Sequence, residues 1–82
     1  MRAPAISLRH SGVSYQLAHE ISQQMSGGFV DMERLIHVAG IDRDLAQELV
    51  RQMRTGNVDA GALAARGLSF KAAIAITEVI SS

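Results

Sequence analysis

The sequence contains no cysteine, no tryptophan and only one proline, and aromatic residues make up just 4% of it. Without cysteine, neither a disulfide nor a thiolate metal site can stabilise the 82-residue chain, although domains of this size often depend on such cross-links. The chain must therefore bury its apolar side chains against one another or against further subunits. Apolar residues form 48% of the sequence, and a composition poor in aromatics is typical of small helical domains.

An excess of charge of either sign is also missing. Eight basic residues balance eight acidic ones, whereas domains that bind a phosphate backbone normally carry a clear basic excess. The balance therefore argues against nucleic acid and against an anionic membrane surface as partners. No stretch has the length of a membrane span, and the first residues lack the pattern of a signal peptide, so we expect no membrane association and no readable export signal.

The chain repeats one short pattern three times, and each copy is marked by a glycine. The three glycines are spaced 28 and then 27 residues apart, and they are Gly12, Gly40 and Gly67. Each is followed by a hydrophobic residue and then by serine or aspartate, namely Ser14, Asp42 and Ser69. Self-similarity at such a period is typical of repeated supersecondary units. The predicted organisation is an N-terminal arm (1–6) and one helical domain (7–82) of three repeats, 7–28, 29–56 and 57–82.

Within each repeat the marker glycine separates a short helix from a longer one. The resulting prediction is an all-α fold of about six short helices, built from three tandem helix-turn-helix repeats of 27–28 residues. Ser14, Asp42 and Ser69 are good N-caps for the longer helices. The marker glycines are expected to adopt a left-handed or close-packed turn that a Cβ would disfavour.

Further caps and a hydrophobic stripe complete the helix prediction. Gly28 and Gly56 follow the first two long helices, where C-cap glycines belong, and Asp31 and Asp59 are predicted to cap the next short helices. Apolar residues recur at helical spacing along one face. The predicted core comprises Leu17, Ile21, Met25, Ile36, Ile41, Leu45, Leu49, Met53, Leu63, Leu68, Ile76 and Ile80.

The last long helix is apolar on nearly all sides, which indicates burial on nearly all sides. Two interpretations remain open: it is the central helix of the monomer, or it forms an interface with another subunit. The candidate interface residues are Phe70, Ile74, Ile76 and Ile80.

No catalytic, metal-binding or cofactor-binding pattern is present. The three histidines have no two-ligand helical spacing and no histidine–carboxylate signature. Asp42 and Asp44 open a helix, where the macrodipole favours negative charge. Glu48 and Arg51 are three residues apart and can pair on a solvated helix face. We therefore expect no enzyme activity and no cofactor.

Nearly the whole chain resembles repeats found in bacteriophage structural proteins. The resemblance lies in two stretches that begin with Leu-Ala-x-Glu and end with Gln-Met, at 17–25 and 45–53. It implies a component of a virion or of virion assembly that docks to other proteins, located in the bacterial cytoplasm or in the virion. The expected partners are protein, either further copies of this chain or other virion subunits.

Two local resemblances involve the same residues. The glycine–hydrophobe pairs, with Ala18, Ala46 and Ala73, resemble helix-hairpin-helix DNA-binding motifs, but serine or aspartate replaces the second glycine that approaches phosphate. The stretch 35–65 looks like a ubiquitin-associated domain, although Ala39 and Ile41 occupy the positions of the methionine and aromatic residue that contact ubiquitin. The sequence thus predicts a non-catalytic protein-interaction or assembly module, with a nucleic-acid-binding helix-hairpin-helix-like module as the alternative.

Overall fold

The computed structural model describes residues 15–82, which form five α-helices and contain no β-strand. The helices are α1 (Tyr15–Gly27), α2 (Met32–Ala39), α3 (Arg43–Thr55), α4 (Ala60–Ala65) and α5 (Phe70–Ser81). The predicted all-α class is therefore confirmed. The predicted arm (1–6), the first short helix, Gly12 and Ser14 lie outside the described residues.

Side-chain caps begin three of these helices at the predicted residues. The Asp31 carboxylate accepts a hydrogen bond from the Arg34 N–H at 3.2 Å, and the matching residue Asp59 accepts one from the Ala62 N–H at 3.1 Å. Ser69 caps α5 through the Ala72 N–H at 3.1 Å. Asp42 also occupies an N-cap position, but its side chain makes no cap hydrogen bond, so that part of its predicted role is wrong.

Left-handed glycines end the helices where the sequence predicted them. Gly40 has φ +68° and donates its N–H to the Ile36 carbonyl at 2.9 Å, and Gly67 has φ +122°. A Cβ added at Gly40 would meet no heavy atom within 4 Å. The backbone angle, rather than close packing, therefore explains the need for glycine at this turn. The predicted C-cap glycines Gly28 and Gly56 likewise have positive φ.

The five helices close into a ring around one core. In the main packing contacts, each helix lies against the next one along the chain, and α5 returns to pack against α1. The fully buried side chains at the centre come from every helix, and the largest aliphatic ones are Ile21, Leu35, Leu49, Leu63 and Ile76. The packing of α5 against α1 therefore places the last helix beside the first one that the structure describes.

One predicted core position is displaced by a single residue. Leu35 is fully buried in α2, whereas Ile36, the predicted core residue, is only partly buried. Leu35 and Leu63 each lie four residues after the capping aspartate, Asp31 or Asp59. The third repeat is one residue shorter between this aspartate and its marker glycine. Counted back from the glycines, Leu63 therefore corresponds to Ile36, but counted from the capping aspartates it corresponds to the buried Leu35.

Candidate functional site: two glutamine clamps and the outer face of α5

A buried glutamine in α1 holds the loop that leads into α2. The Gln24 side-chain oxygen accepts the Asp31 N–H at 2.9 Å, and its Nε2 donates to the Asp31 carbonyl at 3.1 Å. Nε2 also donates to the Glu20 carboxylate at 3.0 Å. Glu20, Gln24 and Asp31 form what we call the first clamp. It fixes the loop because it pairs both backbone polar groups of Asp31.

The same arrangement recurs 28 residues later between α3 and α4. Gln52 accepts the Asp59 N–H at 3.0 Å and donates to the Asp59 carbonyl at 3.1 Å and to the Glu48 carboxylate at 2.8 Å. Glu48, Gln52 and Asp59 form the second clamp. Both glutamines are fully buried. The two clamps are thus the same hydrogen-bonding arrangement at equivalent positions of two repeats.

The two buried glutamates obtain their positive partners from different places. In the first clamp, Arg34 of α2 donates its Nε to Glu20 at 2.7 Å. In the second, Arg51 lies one turn along α3 from Glu48 and binds it through two nitrogens, while Arg66 lies 3.9 Å away. The glutamine–aspartate hydrogen bonds therefore occur at equivalent positions of the two repeats, but the arginines that pair with the two glutamates do not.

Arg51 also sets the ionisation of the second clamp. Its hydrogen bonds to Glu48, helped by the Gln52 amide, lower the pKa of the Glu48 carboxyl, and the carboxylate in turn raises the pKa of Arg51. The predicted Glu48–Arg51 pair is thus confirmed. The predicted solvated setting is wrong for Glu48, because its side chain is only 7% exposed.

The spacing of polar residues in the sequence carries a signal for the clamps. Leu17, Glu20, Ile21 and Gln24 recur at the spacing of one helix face, and Leu45, Glu48, Leu49 and Gln52 repeat it. A glutamate and a glutamine placed twice within an apolar stripe indicate buried polar groups, and such groups need hydrogen-bond partners. A capping aspartate seven residues after each glutamine is the missing partner.

The last long helix has no such clamp. Ala75 and Val79 occupy the positions that correspond to the clamp glutamate and glutamine. Both are partly buried, and Val79 packs against the core. This replacement explains why α5 appears so apolar in sequence.

Most of α5 is buried by α1 and α4, but one side remains open. Ile76 and Ile80, two of the candidate interface residues, are 0% and 4% exposed and belong to the core. The other two, Phe70 and Ile74, are 60% and 41% exposed. They share one side of the helix with the exposed Lys71 and Glu78. We call these four residues the α5 outer face.

The turn at Gly40, where a helix-hairpin-helix motif would approach phosphate, is surrounded by acidic groups. Asp42 and Asp44 are exposed there, and the Arg43 guanidinium between them lies 2.9 Å from Glu33 of α2. This pairing lowers the pKa of Glu33 and raises that of Arg43. Asp44 lies 3.6 Å from Arg66, and the exposed Asp42 carboxylate beside the helix start would repel a phosphate.

Two histidines, His19 in α1 and His37 in α2, lie within the described residues. His19 stacks on Tyr15 with ring centroids 5.8 Å apart, and His37 is exposed near Glu33. No three histidine, aspartate or glutamate side chains between residues 15 and 82 come together as metal ligands would. Over the same residues, every fully buried side-chain nitrogen and oxygen has a hydrogen-bond partner.

Among the described helices, none is both long enough and apolar enough to cross a membrane. Comparisons with known proteins found no matching family model, no similar curated protein and no similar solved structure.

Proposed function

We propose that this chain is a non-catalytic protein-interaction module that assembles with further protein subunits, as a small structural component of a bacteriophage virion does. The observation that carries the proposal is the α5 outer face. Phe70 and Ile74 lie one turn apart on the same side of α5, and both side chains remain exposed. Aromatic residues are scarce in this chain. Neighbouring exposed apolar side chains are typical of interaction sites.

The buried polar groups support a structural rather than a catalytic role. Glu20, Glu48 and the two clamp glutamines are engaged in hydrogen bonds that hold loops in place. A general acid or base must reach a substrate proton, and these carboxylates lie behind arginine and glutamine partners. The virion setting rests on the resemblance of the repeats to phage structural proteins.

We further infer that the whole chain consists of three helix-turn-helix repeats with about six helices. The matching clamps and capping aspartates of α1–α2 and α3–α4 support the repeat, because they coincide in contacts as well as in sequence. The third repeat departs from the pattern at Ala75 and Val79. A sixth, short helix would come from the residues that precede Tyr15.

Nucleic-acid binding has weaker support. Four of the six described cations form ion pairs with acidic side chains, namely Arg34, Arg43, Arg51 and Arg66. Only Arg54 and Lys71, among residues 15–82, form no ion pair. Such scattered charge does not form the basic patch that phosphate recognition needs.

Sedimentation velocity at increasing protein concentration tests the proposal. We expect the wild-type chain to associate, and Phe70→Ser to weaken that association while circular dichroism remains helical. Phe29→Ser is the matched control, since Phe29 is also about half exposed but lies in the loop before α2. A wild-type chain that sediments as a monomer throughout would contradict assembly of this chain with itself, and equal effects of the two substitutions would contradict the role of the α5 outer face.

A further inference from the structure

The α5 outer face has a regular arrangement of apolar and charged side chains. Lys71, Ile74 and Glu78 follow one another at spacings of three and four residues, so they form a single line along the helix. Ile74 lies near the middle of this line, and the two charges of opposite sign lie about one turn to either side. Phe70 adds a large exposed ring beside Lys71.

Both charges on this face are available to a partner. Lys71 and Glu78 are exposed, and neither side chain forms an ion pair or a side-chain hydrogen bond within residues 15–82. Most of the arginines in that range are already paired within the chain. A partner helix with a negative group opposite Lys71 and a positive group opposite Glu78 would satisfy both.

A second copy of α5 has this charge pattern when it runs antiparallel. We infer that the α5 outer face is a homodimer interface in which two copies pack about a twofold axis near Ile74. Lys71 of each copy then faces Glu78 of the other, and the two Ile74 side chains meet at the axis. A parallel arrangement would place like charges opposite each other, which is unfavourable. A twofold interface of this kind is self-complementary and closes at two subunits.

The size of the face indicates a weak dimer. Only two exposed apolar side chains per copy contribute to it, and interfaces at the small end of the range are usually transient. The two ion pairs are at the surface, so added salt should weaken the dimer. This inference rests on the proposed function, because it names the partner and the geometry of the same face.

Complementary charge reversals test the geometry. In Lys71→Glu, two glutamates face each other at both ends of the interface, and in Glu78→Lys two lysines do. Each variant alone should therefore dimerise less than the wild-type chain in sedimentation equilibrium at low salt. An equimolar mixture of the two variants restores both ion pairs, so it should form a heterodimer. The double variant Lys71→Glu/Glu78→Lys should form a homodimer again.

Arg54→Glu is the matched control, because Arg54 is also an exposed cation without an ion pair but belongs to α3. It should leave dimerisation unchanged. A mixture that associates no better than its two components would overturn the antiparallel interface. If the wild-type chain still associates in that case, the proposed function survives without this geometry, whereas a strictly monomeric wild-type chain would contradict both this interface and the assembly of the chain with itself.

Discussion

The side-chain amide of Gln52 pairs with both backbone polar groups of Asp59, accepting its N–H at 3.0 Å and donating to its carbonyl at 3.1 Å. Gln24 does the same to Asp31. One side chain thereby supplies a partner for the N–H and a second partner for the carbonyl, which also accepts the backbone N–H of Leu63 or Leu35 at 3.3 Å. The capping carboxylate of each aspartate remains free to begin the next short helix.

Removing one clamp should cost more than removing a surface glutamine. Gln52→Leu leaves the Asp59 N–H without its partner and removes one of the two hydrogen bonds to the Asp59 carbonyl, which still accepts the Leu63 N–H at 3.3 Å. It also takes one donor from buried Glu48. We expect the free energy of unfolding to fall by about 2–3 kcal/mol. Gln47→Leu, on the exposed side of the same helix, should change it by less than about 0.5 kcal/mol. Urea unfolding of both variants measures the difference, and equal stabilities would show that the clamp is unimportant.

Acid should weaken the second clamp in a defined direction. The pKa of Glu48 is lowered in the folded chain by its hydrogen bonds to Arg51, while the unfolded chain has the ordinary value of about 4.3. Below that value the unfolded state binds the proton more readily, so stability falls as pH drops toward the folded-state pKa. Glu48→Gln should lose stability at neutral pH and show a shallower decline in acid. This role is refuted if the free energy of unfolding falls by the same amount in the wild-type chain and in Glu48→Gln between neutral and acidic pH.

Two glycine-to-alanine changes should have opposite effects. Gly40 has φ +68° with open space around it, so Gly40→Ala adds only backbone strain and should cost about 1–2 kcal/mol. Gly61 lies inside α4, has no positive φ, and its Cβ would make an ordinary contact with Asp59. Gly61→Ala should therefore stabilise the chain by up to about 1 kcal/mol. Thermal unfolding distinguishes them, and a stabilising Gly40→Ala would contradict the turn assignment.

An aspartate should have different effects on the buried and the exposed side of α5. Ile76 is fully buried, so Ile76→Asp places an unpaired charge in the core, and a cost of about 3–5 kcal/mol is expected. For a small domain this is enough to unfold much of the population. Ile74→Asp should keep its helical circular dichroism and lose only association. A folded Ile76→Asp chain with unchanged mass would show that the core assignment is wrong.

The sequence predicted the local structure well, because glycine turns and aspartate caps depend on single residues. Gly40, Asp31 and Asp59 have the conformations or contacts expected of them. Asp42 differs, since its carboxylate makes no cap hydrogen bond. Aspartate and serine are both favoured at an N-cap, so residue type alone does not separate Asp42 from Ser69, which does form the cap.

Features that depend on packing between repeats were harder to predict. The burial of Leu35 rather than Ile36 follows from a one-residue difference between repeats that alignment on glycine conceals. The clamps join residues seven apart across a helix end, so a helix pattern alone does not identify the partner. The exposed positions of Phe70 and Ile74 depend on which sides of α5 are covered by α1 and α4.

The absolute mass in solution tests the central claim most directly. A single chain has a mass of 8.8 kDa. Size-exclusion chromatography with light scattering, run over a series of protein concentrations at low salt, should give a mass that rises from this value toward that of two chains. Phe70→Ser should shift the rise to higher concentration. A mass that stays at 8.8 kDa at every concentration would contradict assembly of this chain with itself.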